Sequence, residues 1–239
     1  MKRHIPNILT LINLFCGCLA IKTLMEIYFD FNLSTNNTLY LTIGIYVALS
    51  LFFDFTDGLV ARLLNVKSEL GVQLDSLADI VTFGVLPGFM MVFFIKHLSG
   101  VENPYFQYMG LLITLFSALR LAKFNLDETQ SENFKGLAVP ANTIFIVSLA
   151  FISPDSSLGK IIFTPISLTL LIFLLCYLLV SNIPMFSFKM KNLNFSDNIH
   201  RYLLLIISIV LLIFFQLAAL PFIIILYIVL SLIFKKNFA

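Results

Sequence analysis

The chain has 239 residues, 59% of them hydrophobic and only 12% charged, with a mean hydropathy of +0.98. That balance excludes a soluble globular domain and points to an all-α, polytopic integral membrane protein; no nucleic-acid partner is expected. The net charge of +2 decides little, because the distribution of Lys and Arg, not their sum, orients a membrane chain.

At the N-terminus Lys2 and Arg3 precede an apolar run that continues past Ala20 to Tyr28 without a small-residue cleavage site. It reads as a retained first span rather than a removed signal. A bilayer needs about 20 apolar residues per helix. On that measure the predicted spans are Ile8–Tyr28, Leu39–Leu64, Leu74–Ile95, Tyr108–Phe124, Pro140–Ile152, Ile162–Ile183, Tyr202–Gln216 and Ala218–Phe234. Six to eight is the defensible range, and eight is the expectation. No loop is long enough for a soluble domain, so the chain is expected to be one transmembrane domain, 1–239. Cys16, Cys18 and Cys176 lie inside apolar segments and read as small packed hydrophobes, not as a disulfide framework.

With eight spans and the N-terminus inside, one side holds Lys2, Arg3, Arg62, Lys67, Arg120, Lys123, Lys135, Lys189, Lys191, Arg201, Lys235 and Lys236. The other holds only Lys22, Lys96 and Lys160. The positive-inside rule therefore predicts both termini in the cytoplasm.

Four aspartates stand out at the inner end of the second and third spans, in DFTDGLVARLLNVKSELGVQLDSLAD. Asp54 and Asp57 are three apart, Asp75 and Asp79 four apart, so each pair shares a helix face. Bare carboxylates beside an apolar run need a cation, a partner or water. Two antiparallel helices with a short cytoplasmic link would bring the pairs together. Four facing carboxylates cannot all stay ionised without cations. Hard oxygen ligands suit Mg²⁺, Mn²⁺ or Ca²⁺, and two such ions would match a two-metal phosphoryl-transfer site. Gly58 and Ala61 share the face of the first pair and leave an open surface for a planar or phosphate-bearing ligand. Arg62 beside them offers a planar fork to phosphate or carboxylate. Gly71 lies on the stripe of the second pair.

This spacing resembles the signature of the CDP-alcohol phosphatidyltransferase family: Asp-x-x-Asp-Gly-x-x-Ala-Arg, eight residues, then Gly-x-x-x-Asp-x-x-x-Asp. Every fixed position matches, at Asp54, Asp57, Gly58, Ala61, Arg62, Gly71, Asp75 and Asp79. The resemblance implies a core of six helices, here about 5–185, usually in a homodimer, with two added C-terminal helices at about 200–236. It implies Asp54, Asp57 and Asp75 as metal ligands, Asp79 as ligand and general base, and Gly58, Ala61, Gly71 and Arg62 around the CDP moiety. The runs PNILTLINLFCGCLAI, DSLADIVTFGVLPG, RLAKFN and GLAVPAN are similar to the serine-accepting branch of that family. That implies CDP-diacylglycerol and L-serine as substrates, among membrane lipids. In the first helix Thr10, Asn13 and Gly17 share a face, expected to meet the cytidine or its diphosphate or else to pack helices. In RLAKFN, Arg120, Lys123 and Asn125 read as holders of the serine carboxylate or the lipid phosphate, or as positive-inside anchors. The branch commonly carries Arg where Lys123 stands.

Two other readings stay open. The acceptor could be glycerol phosphate or inositol phosphate, or the acids could serve a cation transporter. A transporter would spread acids through the bilayer depth, whereas the outer halves of these spans offer only Glu26. His4, His97 and His200 sit at span ends and read as interfacial. The polar stretch LDETQSENFKG either covers the site or only connects helices. The basic stretch Lys189–Arg201 either lies on anionic lipid or is a plain linker.

Overall fold

The computed structural model describes residues 4–30, 33–66, 68–126, 134–187 and 194–235. Lys67, residues 127–133 of the polar stretch and residues 188–193 of the basic stretch lie outside them, as do Lys2, Arg3 and Lys236.

Among the described residues ten α-helices follow in order: α1 (Ile5–Phe29), α2 (Leu33–Leu63), α3 (Glu69–Asp79), α4 (Leu86–Leu98), α5 (Leu112–Leu126), α6 (Val139–Leu149), α7 (Ser157–Ile162), α8 (Pro165–Val180), α9 (Phe195–Phe215) and α10 (Leu220–Ile233). All eight predicted spans fall on helix. The third is composite: α3 runs through a π-helical turn, Ile80–Val85, into α4 as one rod from Glu69 to Leu98. Among the described residues five segments are long and apolar enough to cross a membrane, and α6 and α8 are shorter apolar helices. The protein is a polytopic all-α membrane protein.

The third span is the centre of the bundle: 72% of its most apolar window is buried, against 39% or less in the other four long segments. Phe83, Met90, Met91, Phe93 and Phe94 are fully buried along it. α1 lies against α2, α3 and the π turn, and α5 and α6 close the turn from the other side. α9 and α10 form a hairpin at Gln216, whose φ of 51° turns the chain. α10 packs on α6, and α9 leans mainly on α10 and the turn joining them.

The link between α2 and α3 is short for a local reason. Asn65 takes a left-handed conformation, φ 51°, as Asn tolerates after a helix end. Val66 N–H then bonds to Ala61 O at 3.0 Å and Asn65 N–H to Arg62 O at 3.2 Å, the paired bonds of a Schellman stop. Ser68 caps the next helix by accepting from Gly71 N–H at 3.0 Å, and Glu69 favours its positive N-terminus. Stop and start together turn the chain between α2 and α3, and both helices pack against α1.

One strand pair was not foreseen. Phe134–Lys135 (β1) pairs antiparallel with Pro184–Met185 (β2), Lys135 opposite Pro184. Gly136 N–H to Ile183 O, 2.8 Å, and Leu137 N–H to Leu178 O, 2.9 Å, continue the pairing onto the end of α8. His200 departs from the interfacial reading: it is buried, with ring contacts to Phe186 and Phe234.

Candidate active site

The α2–α3 turn places one carboxylate oxygen from each of Asp54, Asp57 and Asp75 within 4.8 Å of one another. Asp54 interacts directly with both Asp75 and Asp79, so the fourth acid adjoins the same cluster. Asp57 is buried and the other three are half-buried. Asp75 Oδ1 is buried and receives no hydrogen bond. Among the described residues no cation forms a salt bridge with any of the four. Concentrated negative charge, hard oxygen donors and an orphaned carboxylate oxygen fit a divalent cation.

α1 orients two of these acids. Thr10 Oγ1 donates to Asp57 Oδ2 at 2.5 Å. Asn13 Nδ2 donates to Asp79 Oδ1 at 3.4 Å, while Asn13 Oδ1 is buried without a partner. Ser50 Oγ bonds to Asn13 O at 3.2 Å and so ties the same turn of α1 to α2.

A cavity of about 330 Å³ opens beside the cluster, with Thr10, Asp57, Gly58, Ala61, Arg62, Gly71 and Asp75 in its wall. A Cβ added at Gly58 would meet nothing within 4 Å, so glycine there leaves room in the cavity rather than relieving a protein contact. Arg62 is exposed at the rim, and its Nε donates to Gly58 O at 3.0 Å, which fixes the guanidinium along the helix.

Three sequence-predicted residues lie elsewhere. Asn13 is not in the cavity wall but behind it, on Asp79. Gly17 is a packing position: a Cβ there would fall 2.1 Å from Thr82 Oγ1, so glycine lets α1 touch the π turn. Asn125 does not join Arg120 and Lys123; its Nδ2 donates to Ser76 Oγ at 2.7 Å, tying the end of α5 to α3.

Arg120 and Lys123 line a second cavity of about 240 Å³ with Phe124, Lys135, Ser181 and Asn182. Arg120 is 6% exposed, its Nε has no partner, and it lies close enough to Asp79 to interact electrostatically. Residue-by-residue reading passed over Lys135, Ser181 and Asn182, which reach this cavity only through the β1–β2 pairing. It also assigned no role to Asn142 and Ser117, fully buried with unpartnered polar atoms. Asn142 ends the segment GLAVPAN, a signal available in the sequence.

A family profile described as CDP-alcohol phosphatidyltransferase matches residues 3–214. This chain belongs to the CDP-alcohol phosphatidyltransferase family. Its similarity to individual family members varies in extent. A Bacillus subtilis protein named CDP-diacylglycerol–serine O-phosphatidyltransferase is 32% identical over 190 residues, 78% of this chain and 92% of that protein. Proteins of the same name from Helicobacter pylori J99 and Saccharomyces cerevisiae are each 32% identical, over 59% and 62% of this chain. The chain spans about half the length of those two, 55% and 54%.

Proposed function

We propose that this chain transfers the phosphatidyl group of CDP-diacylglycerol to the hydroxyl of L-serine, giving phosphatidylserine and CMP. The observation that carries the reading is the meeting of carboxylates from α2 and α3 within 4.8 Å, beside a cavity floored by Gly58. The relatives' shared name supports serine as the acceptor.

Asp54, Asp57 and Asp75 would hold the divalent ions, two of Mg²⁺ or Mn²⁺ with Ca²⁺ also suited, and Asp79 would be both ligand and base. Bound divalent ions would neutralise the diphosphate and stabilise negative charge on departing CMP. The cavity beside Gly58, Ala61 and Gly71 would take the CDP moiety, with Arg62 at its phosphates. Thr10 and Asn13 would hold Asp57 and Asp79 in place. Asp79 would take the proton from the serine hydroxyl while that oxygen bonds to the phosphorus carrying diacylglycerol. The bond from that phosphorus to the oxygen shared with CMP breaks, and CMP leaves with its electron pair.

The same reading places both termini and the site at the cytoplasmic face of the cell's inner or plasma membrane, if bacterial, where serine and CMP dissolve. It treats 1–239 as one domain that works as a homodimer. A transporter is disfavoured because the acids gather at one end of two helices instead of marking a path. Asp79→Asn tests the assignment. It should abolish serine-dependent CMP release while CDP-diacylglycerol still binds; turnover at the unmodified rate would remove Asp79 from the role.

A further inference from the structure

The third span carries an irregularity at its centre. Pro87 lies inside the rod from Glu69 to Leu98 and has no N–H. In an unbroken α-helix that N–H would bond to the carbonyl four residues back, Phe83 O, and the proline ring presses on the same carbonyl. The π turn accommodates both effects: its wider coil is closed by Leu86 N–H on Val81 O, five residues back. The missing donor comes from another helix. Thr143 on α6 is fully buried, and its Oγ1 reaches Phe83 O at 2.8 Å, with Val139 O of its own helix at 3.0 Å as the other acceptor. Thr114 Oγ1 on α5 donates to the next carbonyl, Gly84 O, at 3.0 Å. Glycine makes this approach possible: a Cβ at Gly88 would stand 2.1 Å from Thr114 Oγ1, and one at Gly84 would stand 3.2 Å from Ser117 Cβ.

The turn begins at the residue after Asp79. A π turn inserts one residue into the helical repeat, which rotates the two flanking helices by about 100° relative to each other. The facing of α4 is set by the core, where Met90, Met91, Phe93 and Phe94 are fully buried. The turn therefore decides which way α3 faces. As built, α3 presents Asp75 and Asp79 to Asp54.

We propose that Thr143 and Thr114 are positioning residues for the aspartate cluster. By holding the carbonyls of the π turn they fix the rotation of α3 that sets Asp75 and Asp79 against Asp54. The effect on turnover rests on the serine-transfer reading; the effect on metal affinity rests on the aspartates alone.

The test uses the full-length protein in detergent–lipid micelles. It reads Mn²⁺ affinity by electron paramagnetic resonance titration, serine-dependent CMP release and the melting temperature. Thr143→Val keeps the shape and removes the donor. It should weaken Mn²⁺ binding and lower kcat, each about 10–100-fold, the range for losing a group that orients a metal ligand. At saturating Mg²⁺ the KM for CDP-diacylglycerol should not move. Thr143→Ser, which puts the hydroxyl back, should restore both values. Thr114→Val should act in the same direction but less, because Gly88, unlike Pro87, carries an N–H four residues beyond the carbonyl concerned. It carries the test should Thr143→Val not fold. A lower melting temperature with Mn²⁺ affinity and kcat unmoved, or a loss that Thr143→Ser does not restore, overturns the positioning role. Absence of serine-dependent CMP release from the unmodified protein sinks the transfer reading instead, and the Mn²⁺ titration still decides the role of the two threonines.

Discussion

At the scale of single residues, the aspartates are positioned by neighbours with little chemistry of their own. Thr10 gives its hydroxyl to Asp57 and Asn13 its amide to Asp79. Residues that orient metal ligands commonly cost 10–100-fold in affinity or activity when lost. Thr10→Val, which keeps the shape and removes the donor, is therefore expected to weaken Mn²⁺ binding about 10–100-fold, measured by electron paramagnetic resonance titration. Unchanged Mn²⁺ affinity would reduce Thr10 to a helix-packing residue. The four acids were legible in the sequence because their spacing puts them on helix faces whatever the tertiary fold. Asn13 and Gly17 were not separable there: both lie on one stripe of α1, and only the packed helices show that one meets Asp79 and the other Thr82.

At the scale of elements, the α2–α3 turn sets the distance between acid pairs. Its stop at Asn65 and its cap at Ser68 are local, so the turn was readable from a short link even without the bonds that make it. Removing the cap with Ser68→Ala should cost about 1 kcal/mol, read as a lower melting temperature with the family motif intact. Gly58→Leu should fill the cavity without disturbing the fold, since nothing lies within 4 Å of the added Cβ. Its expected outcome is loss of CDP-diacylglycerol binding with an unchanged melting temperature. Retained binding would move the nucleotide elsewhere. The π turn after Asp79 and the β1–β2 pair escaped sequence reading. A π turn has no residue signature of its own, and a two-residue strand is set by its partner, not by alternation. Lys135 was therefore visible as a charge but not as part of a cavity.

At the scale of the whole molecule, eight apolar stretches foretold eight helical segments, because span length and apolarity are imposed by the bilayer. The up-and-down path puts the α2–α3 turn and the ends of α5 and α8 on one side. The α4–α5 and α6–α7 connections fall on the other. In a cysteine-free background, cysteines at Asn65 and Asn182 should react with an impermeant maleimide only in inverted vesicles, and cysteines at Glu102 and Asp155 only in intact cells. The reverse pattern would turn the aspartate cluster outward and contradict the proposed cytoplasmic placement.

The central claim is that clustered carboxylates grip divalent ions so that a CDP-linked lipid can be attacked by an alcohol. CMP release by the purified full-length protein, measured with CDP-diacylglycerol across serine, glycerol phosphate and inositol phosphate, with and without a chelator, tests it most directly. The account predicts release with serine that vanishes on chelation and returns with Mg²⁺ or Mn²⁺. Release that persists without any divalent ion, or that only a phosphate-bearing alcohol supports, would contradict it.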